Sequence, residues 1–168
     1  MRLYRLDRVQ RLPVSLDEAW QYFSNPLNLG EITPPSLGLR VVEGGDEPMH
    51  PGMLISYRVH PILKLRLSWV TEITHVREPF YFVDEQRFGP YRFWHHQHRF
   101  SEVSGGVEVS DIVHYALPFG PIGRIAHHAV VARNLGRIFD YRRKVLEDRF
   151  GPPSTHTESQ AYDASFTR

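Results

Sequence analysis

The side chains best suited to chemistry fall in two short runs, Trp94-His95-His96-Gln97-His98-Arg99-Phe100 and Asp111-Ile112-Val113-His114-Tyr115. If each run is a strand, its period of two puts Trp94, His96, His98 and Phe100 on one face, and Val109, Asp111, Val113 and Tyr115 on one face of the next. Two imidazoles and a carboxylate then sit among aromatic rings. Histidine changes charge near neutral pH and a carboxylate partner sets its tautomer, so His96 or His98 with Asp111 is a candidate catalytic acid–base pair. A lone buried charge is costly, so Asp111 is expected to pair with a histidine or a hydroxyl. The same residues would also serve as a satisfied polar network that stiffens a sheet. His-x-His with Asp111 as a third ligand would suit zinc or iron. Ten histidines in 168 residues make that spacing cheap, however, and neither a metal nor any other cofactor is expected.

These runs need elements to hold them. Leu3 to Leu12 alternates as a first strand. Ser15 with Glu18 three residues on is a capping box, and it opens a short helix with Ala19, Trp20, Tyr22 and Phe23 on its apolar side. Asn25-Pro26 breaks that helix, a second helical turn covers Leu27 to Ile32, and Thr33-Pro34-Pro35 closes the segment. The period then switches to strands: Leu39 to Glu43, Met53 to His60, Leu63 to Val76, Phe80 to Phe88, Tyr91 to Val103 and Val107 to Ala116, with the tightest hairpin at Gly105-Gly106. Such short connections imply antiparallel pairing.

The last element is read as one amphipathic helix from Pro121 to Phe150, roughly 45 Å at 1.5 Å per residue. Its stripe of Ile122, Ile125, Ala129, Ala132, Leu135 or Gly136, Phe139, Leu146 and Phe150 is bulky at both ends and small in the middle. A glycine inside a helix costs up to about 1 kcal/mol relative to alanine, so Gly136 needs a packing or spatial reason. Gly151-Pro152-Pro153 stops the helix, and residues 151–168 read as a disordered tail.

Composition narrows the functions. A chain of 168 residues with 41% hydrophobic content is expected to form one domain, over residues 1–150. The formal net charge of +1 argues against a nucleic-acid partner. There are no cysteines, no apolar run long enough for an integral membrane segment and no signal-peptide core, so a cytoplasmic protein is expected.

Several motifs together resemble a known superfamily. The Pro13-Val14-Ser15-Leu16-Asp17-Glu18-Ala19-Trp20 opening, the Ile32-Thr33-Pro34-Pro35 segment and the long closing helix look like SRPBCC proteins, which include START lipid-binding domains, polyketide cyclases and pollen-allergen-type proteins. Phe82-x-Asp84-Glu85-Gln86-x-x-Gly89-Pro90-Tyr91-x-x-Trp94-x-His96-x-His98-x-Phe100, Asp111-x-Val113-x-Tyr115-x-x-Pro118 and Ile138-Phe139-x-Tyr141-Arg142 are similar to a bacterial ligand-binding branch. Its members occur alone or beside an epimerase-like domain named a cell-division inhibitor. The resemblance covers about Leu3 to Phe150. It implies an α+β helix-grip (START-like) fold, with a curved antiparallel sheet of about seven strands wrapped around the C-terminal helix and two short helices after the first strand. It also implies a deep apolar cavity between sheet and helix.

In that frame the expected function is binding of a small hydrophobic ligand of lipid, polyketide or aromatic type. The cavity would be walled by Trp69, Phe82, Trp94, Phe100, Val113 and Tyr115, and by a notch at Ala129, Ala132 and Gly136. Gln86, His96, His98 and Asp111 would be its orienting polar groups. The alternative is a cyclase or dehydratase using the His–Asp pair. A module that acts on a protein partner is a further reading, suggested only by the name of the fused relatives.

Overall fold

The computed structural model describes residues 2–60, 66–120 and 130–153. Strand β1 (Tyr4–Leu12) leads to helix α1 (Leu16–Phe23), then to 3-10 turns at Pro26–Gly30 and Pro35–Leu37. Six strands follow: β2 (Arg40–Glu43), β3 (Leu54–Val59), β4 (Leu67–Arg77), β5 (Tyr81–Phe88), β6 (Phe93–Val103) and β7 (Gly106–Ala116). Helix α2 (Ala132–Phe150) closes the described chain. The expected start of that helix at Pro121, and Ala129 with it, lie outside the described residues, as do the turn at Pro61, the first residues of the fourth strand and most of the proposed tail.

The strands form one seven-stranded sheet in the order β1-β7-β6-β5-β4-β3-β2, antiparallel throughout. The first strand therefore returns to pair with the last, and the remainder is a meander. Register follows from the alternation of apolar side chains, because a slip of one residue would turn every inward side chain to water. Ile55, Tyr57 and Val59 on β3, Thr71 and Ile73 on β4, Trp94, His96, His98 and Phe100 on β6, and Val107 to Tyr115 at every second position on β7 are all buried. The hairpin between β6 and β7 needs its glycines. Gly105 has φ 81°, and a Cβ on Gly106 would stand 2.0 Å from the Leu12 carbonyl oxygen.

Helix α1 forms as its sequence dictates. Ser15 Oγ accepts from the Glu18 backbone N–H at 3.2 Å, and Glu18 Oε2 accepts from the Ser15 N–H at 3.0 Å. The helix buries Leu16, Ala19, Trp20, Tyr22 and Phe23. Trp20 and Phe23 pack their rings on Phe82 and Phe100, closing one end of the sheet's inner face.

The last helix lies over one side of the sheet, not its middle. Gln10 Nε2 on β1 donates to the Arg143 carbonyl at 3.0 Å, and the Arg143 guanidinium donates to the Val9 carbonyl at 2.7 Å. At the C-terminal end, Arg149 pairs with Glu31 at 3.1 Å and stacks over Tyr22. The buried stripe of α2 is Leu135, Phe139, Arg142 and Leu146. Ala132 is exposed, and a Cβ on Gly136 would meet the Arg8 guanidinium at 3.7 Å. One residue is about 100° of helix rotation, which turns Gly136 away from Leu135 and toward β1. Gly136 thus sits where the helix passes the Arg8 side chain. Among the described residues no helix is long and apolar enough to cross a membrane.

Candidate functional site

With the helix anchored over β1, a cavity of about 200 Å³ opens over the other side of the sheet. Its floor is β3, β4, β5 and the start of β6, with Tyr57, Trp69, Thr71, Ile73, Phe82 and Trp94 among its lining. Its flank is α2, which contributes Leu135, Ile138, Phe139 and Arg142 at helical spacing, and the segment after α1 adds Pro26, Leu29 and Ile32 to the wall. The lining is mostly hydrocarbon and aromatic. Among the described residues, its charged and imidazole side chains are Asp84, His96, His98 and Arg142.

The strand register builds that charged cluster. Asp84 on β5 stands directly opposite His96 on β6, and His98 directly opposite Asp111 on β7. All four point inward, so each imidazole meets both carboxylates. His96 Nε2 donates to Asp111 Oδ1 at 2.8 Å and its Nδ1 lies 3.3 Å from Asp84 Oδ2. His98 Nε2 donates to Asp84 Oδ2 at 2.8 Å, and its Nδ1 faces Asp111 Oδ1 at 3.1 Å without forming a hydrogen bond. The two rings lie 3.7 Å apart between centroids. Arg142 reaches down from α2 to donate to Asp111 Oδ1 at 3.1 Å, its guanidinium over the Phe139 ring. Trp94 Nε1 donates to Asp84 Oδ1 at 3.2 Å.

Charges settle accordingly. Burial works against an ionised Asp111, but Arg142 and the two imidazoles beside it outweigh burial and hold the carboxyl well below its usual range. Burial likewise opposes ionisation of Asp84 and is outweighed by His96 and His98 beside it, so its pKa is also lowered. Burial disfavours a charged His96 ring, yet the Asp84 charge and the hydrogen bonds to Asp111 and Asp84 raise its pKa. Two carboxylates against one guanidinium leave a single negative charge beside the imidazoles, which is what favours a proton on His96.

The linked stability has a definite sign. The carboxylates are depressed in the fold, so their contribution is in place above the ordinary value of about 4 and is lost as pH falls further. His96 is raised, so its contribution is complete below about 6.5 and is lost as pH rises through its folded value. In EDTA-treated protein we expect a melting temperature highest between about pH 5 and 6.5, falling on both sides. His96→Gln should flatten the alkaline limb, which thermal melts across pH would show. An alkaline limb identical in wild type and variant would refute the assignment.

The structure sorts the residues expected from sequence. Trp69, Phe82, Trp94, His96 and His98 line the cavity. Phe100 does not: it is core, packed against Trp20, Phe23 and Phe82. Val113 and Tyr115 are also core, lying with Leu135 and Phe139 where the helix presses on the sheet. Asp111 sits behind the histidines rather than in the cavity wall. Gln86 has another task. Its amide donates to the Tyr91 carbonyl at 2.7 Å and accepts from the Tyr91 N–H at 3.2 Å, a clasp that sets Tyr91 against Trp69 and Trp94. Ala132 and Gly136 are not among the lining residues, for the rotational reason given above.

Sequence reasoning missed Asp84 and Arg142 as site residues. Both were readable. Asp84 shares the inward parity of Phe82, and Arg142 falls three residues after Phe139 and four before Leu146.

No protein-family model matches this chain, and no curated protein matches its sequence. Solved structures do. A protein from Chromobacterium violaceum aligns with a TM-score of 0.66 at 17% identity, covering 90% of this chain and 99% of that one. Ara h 8.0201 gives a TM-score of 0.60 at 14% identity over 87% and 99% of the two chains. The fold is a helix grip. The major latex-like protein 151 of Panax ginseng agrees, with a TM-score of 0.61 at 13% identity over 89% and 99%. At these identities the likeness shows the α+β helix-grip fold and no more.

Proposed function

We propose that this helix-grip chain is a cytoplasmic protein of the bacterial ligand-binding branch that binds a small, largely apolar molecule between its sheet and α2. The observation carrying this reading is the cavity itself: about 200 Å³, aliphatic and aromatic for most of its wall, with Asp84, His96 and His98 gathered in one cluster. Sites that bind small molecules share that arrangement of apolar lining and few orienting groups. An engineered apolar cavity of about 150 Å³ in another protein takes benzene, so an aromatic or bicyclic molecule is the size expected here. Its apolar body would lie against Trp69, Phe82 and Trp94, and a polar oxygen or nitrogen would point at Asp84 and the histidines.

Native mass spectrometry of the protein as purified, followed by denaturation and small-molecule identification, tests for the natural ligand. Calorimetric titration with 1-naphthol in EDTA tests the cavity directly. Binding is expected with a dissociation constant below about 1 mM, or about −4 kcal/mol, and with a negative heat-capacity change. No adduct together with no detectable naphthol binding would sink the proposal.

One observation favours a catalytic variant of this reading. His96 lines the cavity and is hydrogen-bonded to Asp111, the geometry of a histidine oriented by a carboxylate. Against it, both ring nitrogens of His96 already face carboxylates, so neither is a free base. Once a ligand is identified, turnover by wild type and its loss in His96→Gln with binding retained would establish the enzyme.

A further inference from the structure

From this geometry we infer a divalent transition-metal site in the cavity wall, with Asp84, His96 and His98 as ligands and Asp111, held by Arg142, as the group that orients both histidines. It shares the cavity with the ligand-binding reading but does not depend on an organic ligand being bound.

Three features converge. The ligating atoms of Asp84, His96 and His98 lie within 4.8 Å of one another. Asp84 Oδ2 is 3.3 Å from His96 Nδ1 and 2.8 Å from His98 Nε2. Donors about 2.0–2.1 Å from a tetrahedral ion stand about 3.3 Å apart. The His96 contact already has that span, and the His98 contact needs to open by about 0.5 Å.

The outer nitrogens supply the second feature. Metal-bound histidines characteristically donate their other N–H to a carboxylate, which fixes tautomer and ring orientation. Here His96 Nε2 and His98 Nδ1 both face Asp111 Oδ1, at 2.8 and 3.1 Å, on the side away from the cavity. The His98 Nδ1 atom is buried and forms no hydrogen bond. With Nε2 on an ion, the His98 proton moves to Nδ1 and is directed at the Asp111 carboxylate. Trp94 holds the other oxygen of Asp84, leaving Oδ2 for the ion.

The third feature is charge. Asp84 and Asp111 against Arg142 leave one net negative charge, and a divalent ion turns this into one net positive charge. Two histidines and one carboxylate leave coordination positions open toward the cavity. The site therefore favours an apolar ligand that carries an anionic oxygen, such as a carboxylate, an enol or a catechol. The ligand set differs from the sequence expectation, which had Asp111 as the third donor and no metal bound. Asp111 is instead committed to the far side of both rings.

The test is calorimetric titration of EDTA-treated and dialysed protein with Zn2+. One ion per chain is expected, with the dissociation constant weakened at least 100-fold in His98→Gln and in Asp84→Asn. His95→Gln, on the opposite face beside Glu85, should match wild type and controls for stray surface histidines. Zinc affinity unchanged in His98→Gln, or no stoichiometric binding, overturns the site. Should the variants fold poorly, long-range proton–nitrogen NMR of wild type decides. Zn2+ should move the ring signals of His96 and His98, and shifts confined to other histidines overturn the proposal. Because naphthol binding is measured in EDTA, loss of the metal site and loss of the ligand cavity give separate results.

Discussion

Arg142→Met is expected to destabilise the protein by about 3 kcal/mol or more, which for a chain of this size lowers the melting temperature by roughly 6–12 °C. The guanidinium is a buried charge in the middle of the apolar stripe of α2, 3.1 Å from Asp111 Oδ1. Methionine preserves much of its hydrocarbon contact with Phe139 but leaves Asp111 with imidazole partners alone. Removing one member of a buried ion pair typically costs about 3–5 kcal/mol, because the other charge stays desolvated. The low end applies here, since His96 and His98 still face Asp111. A double-mutant cycle with Asp111→Asn separates the pair from the helix contact: the double variant should lose at least about 1 kcal/mol less than the sum of the single losses. Chemical denaturation of the four proteins measures it. An Arg142→Met protein within about 1 kcal/mol of wild type would show that the helix is not pinned through this charge.

The same residue shows where the sequence was readable and where it was not. Local signals were strong where chemistry is local. The capping box at Ser15 and Glu18, the turn before β7 and the alternation of Trp94, His96, His98 and Phe100 all depend on neighbours in sequence, and the structure has them. The order of elements, the antiparallel sheet and the closing helix followed from such signals. What failed was the assignment of inward faces to contacts. Parity says that Phe100, Val113 and Tyr115 point inward, but not whether a cavity or a helix lies above them. For Phe100 the cover is α1, through Trp20 and Phe23. For Val113 and Tyr115 it is α2, whose anchors to β1 join residues more than a hundred positions apart. The small residues Ala132 and Gly136 misled for the same reason. An apolar stripe a few residues wide does not fix its own centre, and here a buried arginine completes it. Arg142 looks like surface in composition, and Asp84 looks like the wet end of an amphipathic strand. Each makes sense only when the register across three strands puts opposite charges together.

Thr71→Phe should abolish naphthol binding, raising its dissociation constant at least tenfold, while leaving the protein folded. Thr71 lies mid-strand on β4, buried, between Ile55 and Gln86 in the register, and its side chain lines the cavity. A phenyl ring there projects into open volume rather than into packed atoms, so overpacking should cost less than the 1–3 kcal/mol usual for a filled core. The tenfold weakening corresponds to about 1.4 kcal/mol of binding free energy. Thr71→Val is the matched control, since it keeps the shape and removes only a hydroxyl; it should bind naphthol as tightly as wild type or more so. Trp69 and Trp94 line the same volume, so their fluorescence should respond to naphthol in wild type and Thr71→Val but not in Thr71→Phe. Undiminished binding in a folded Thr71→Phe protein would place the apolar ligand somewhere other than between sheet and helix. Zinc affinity offers a cross-check, because Thr71 contributes no ligand atom. A Thr71→Phe protein that loses naphthol but keeps Zn2+ would show the apolar volume and the charged cluster to be separable parts of one site.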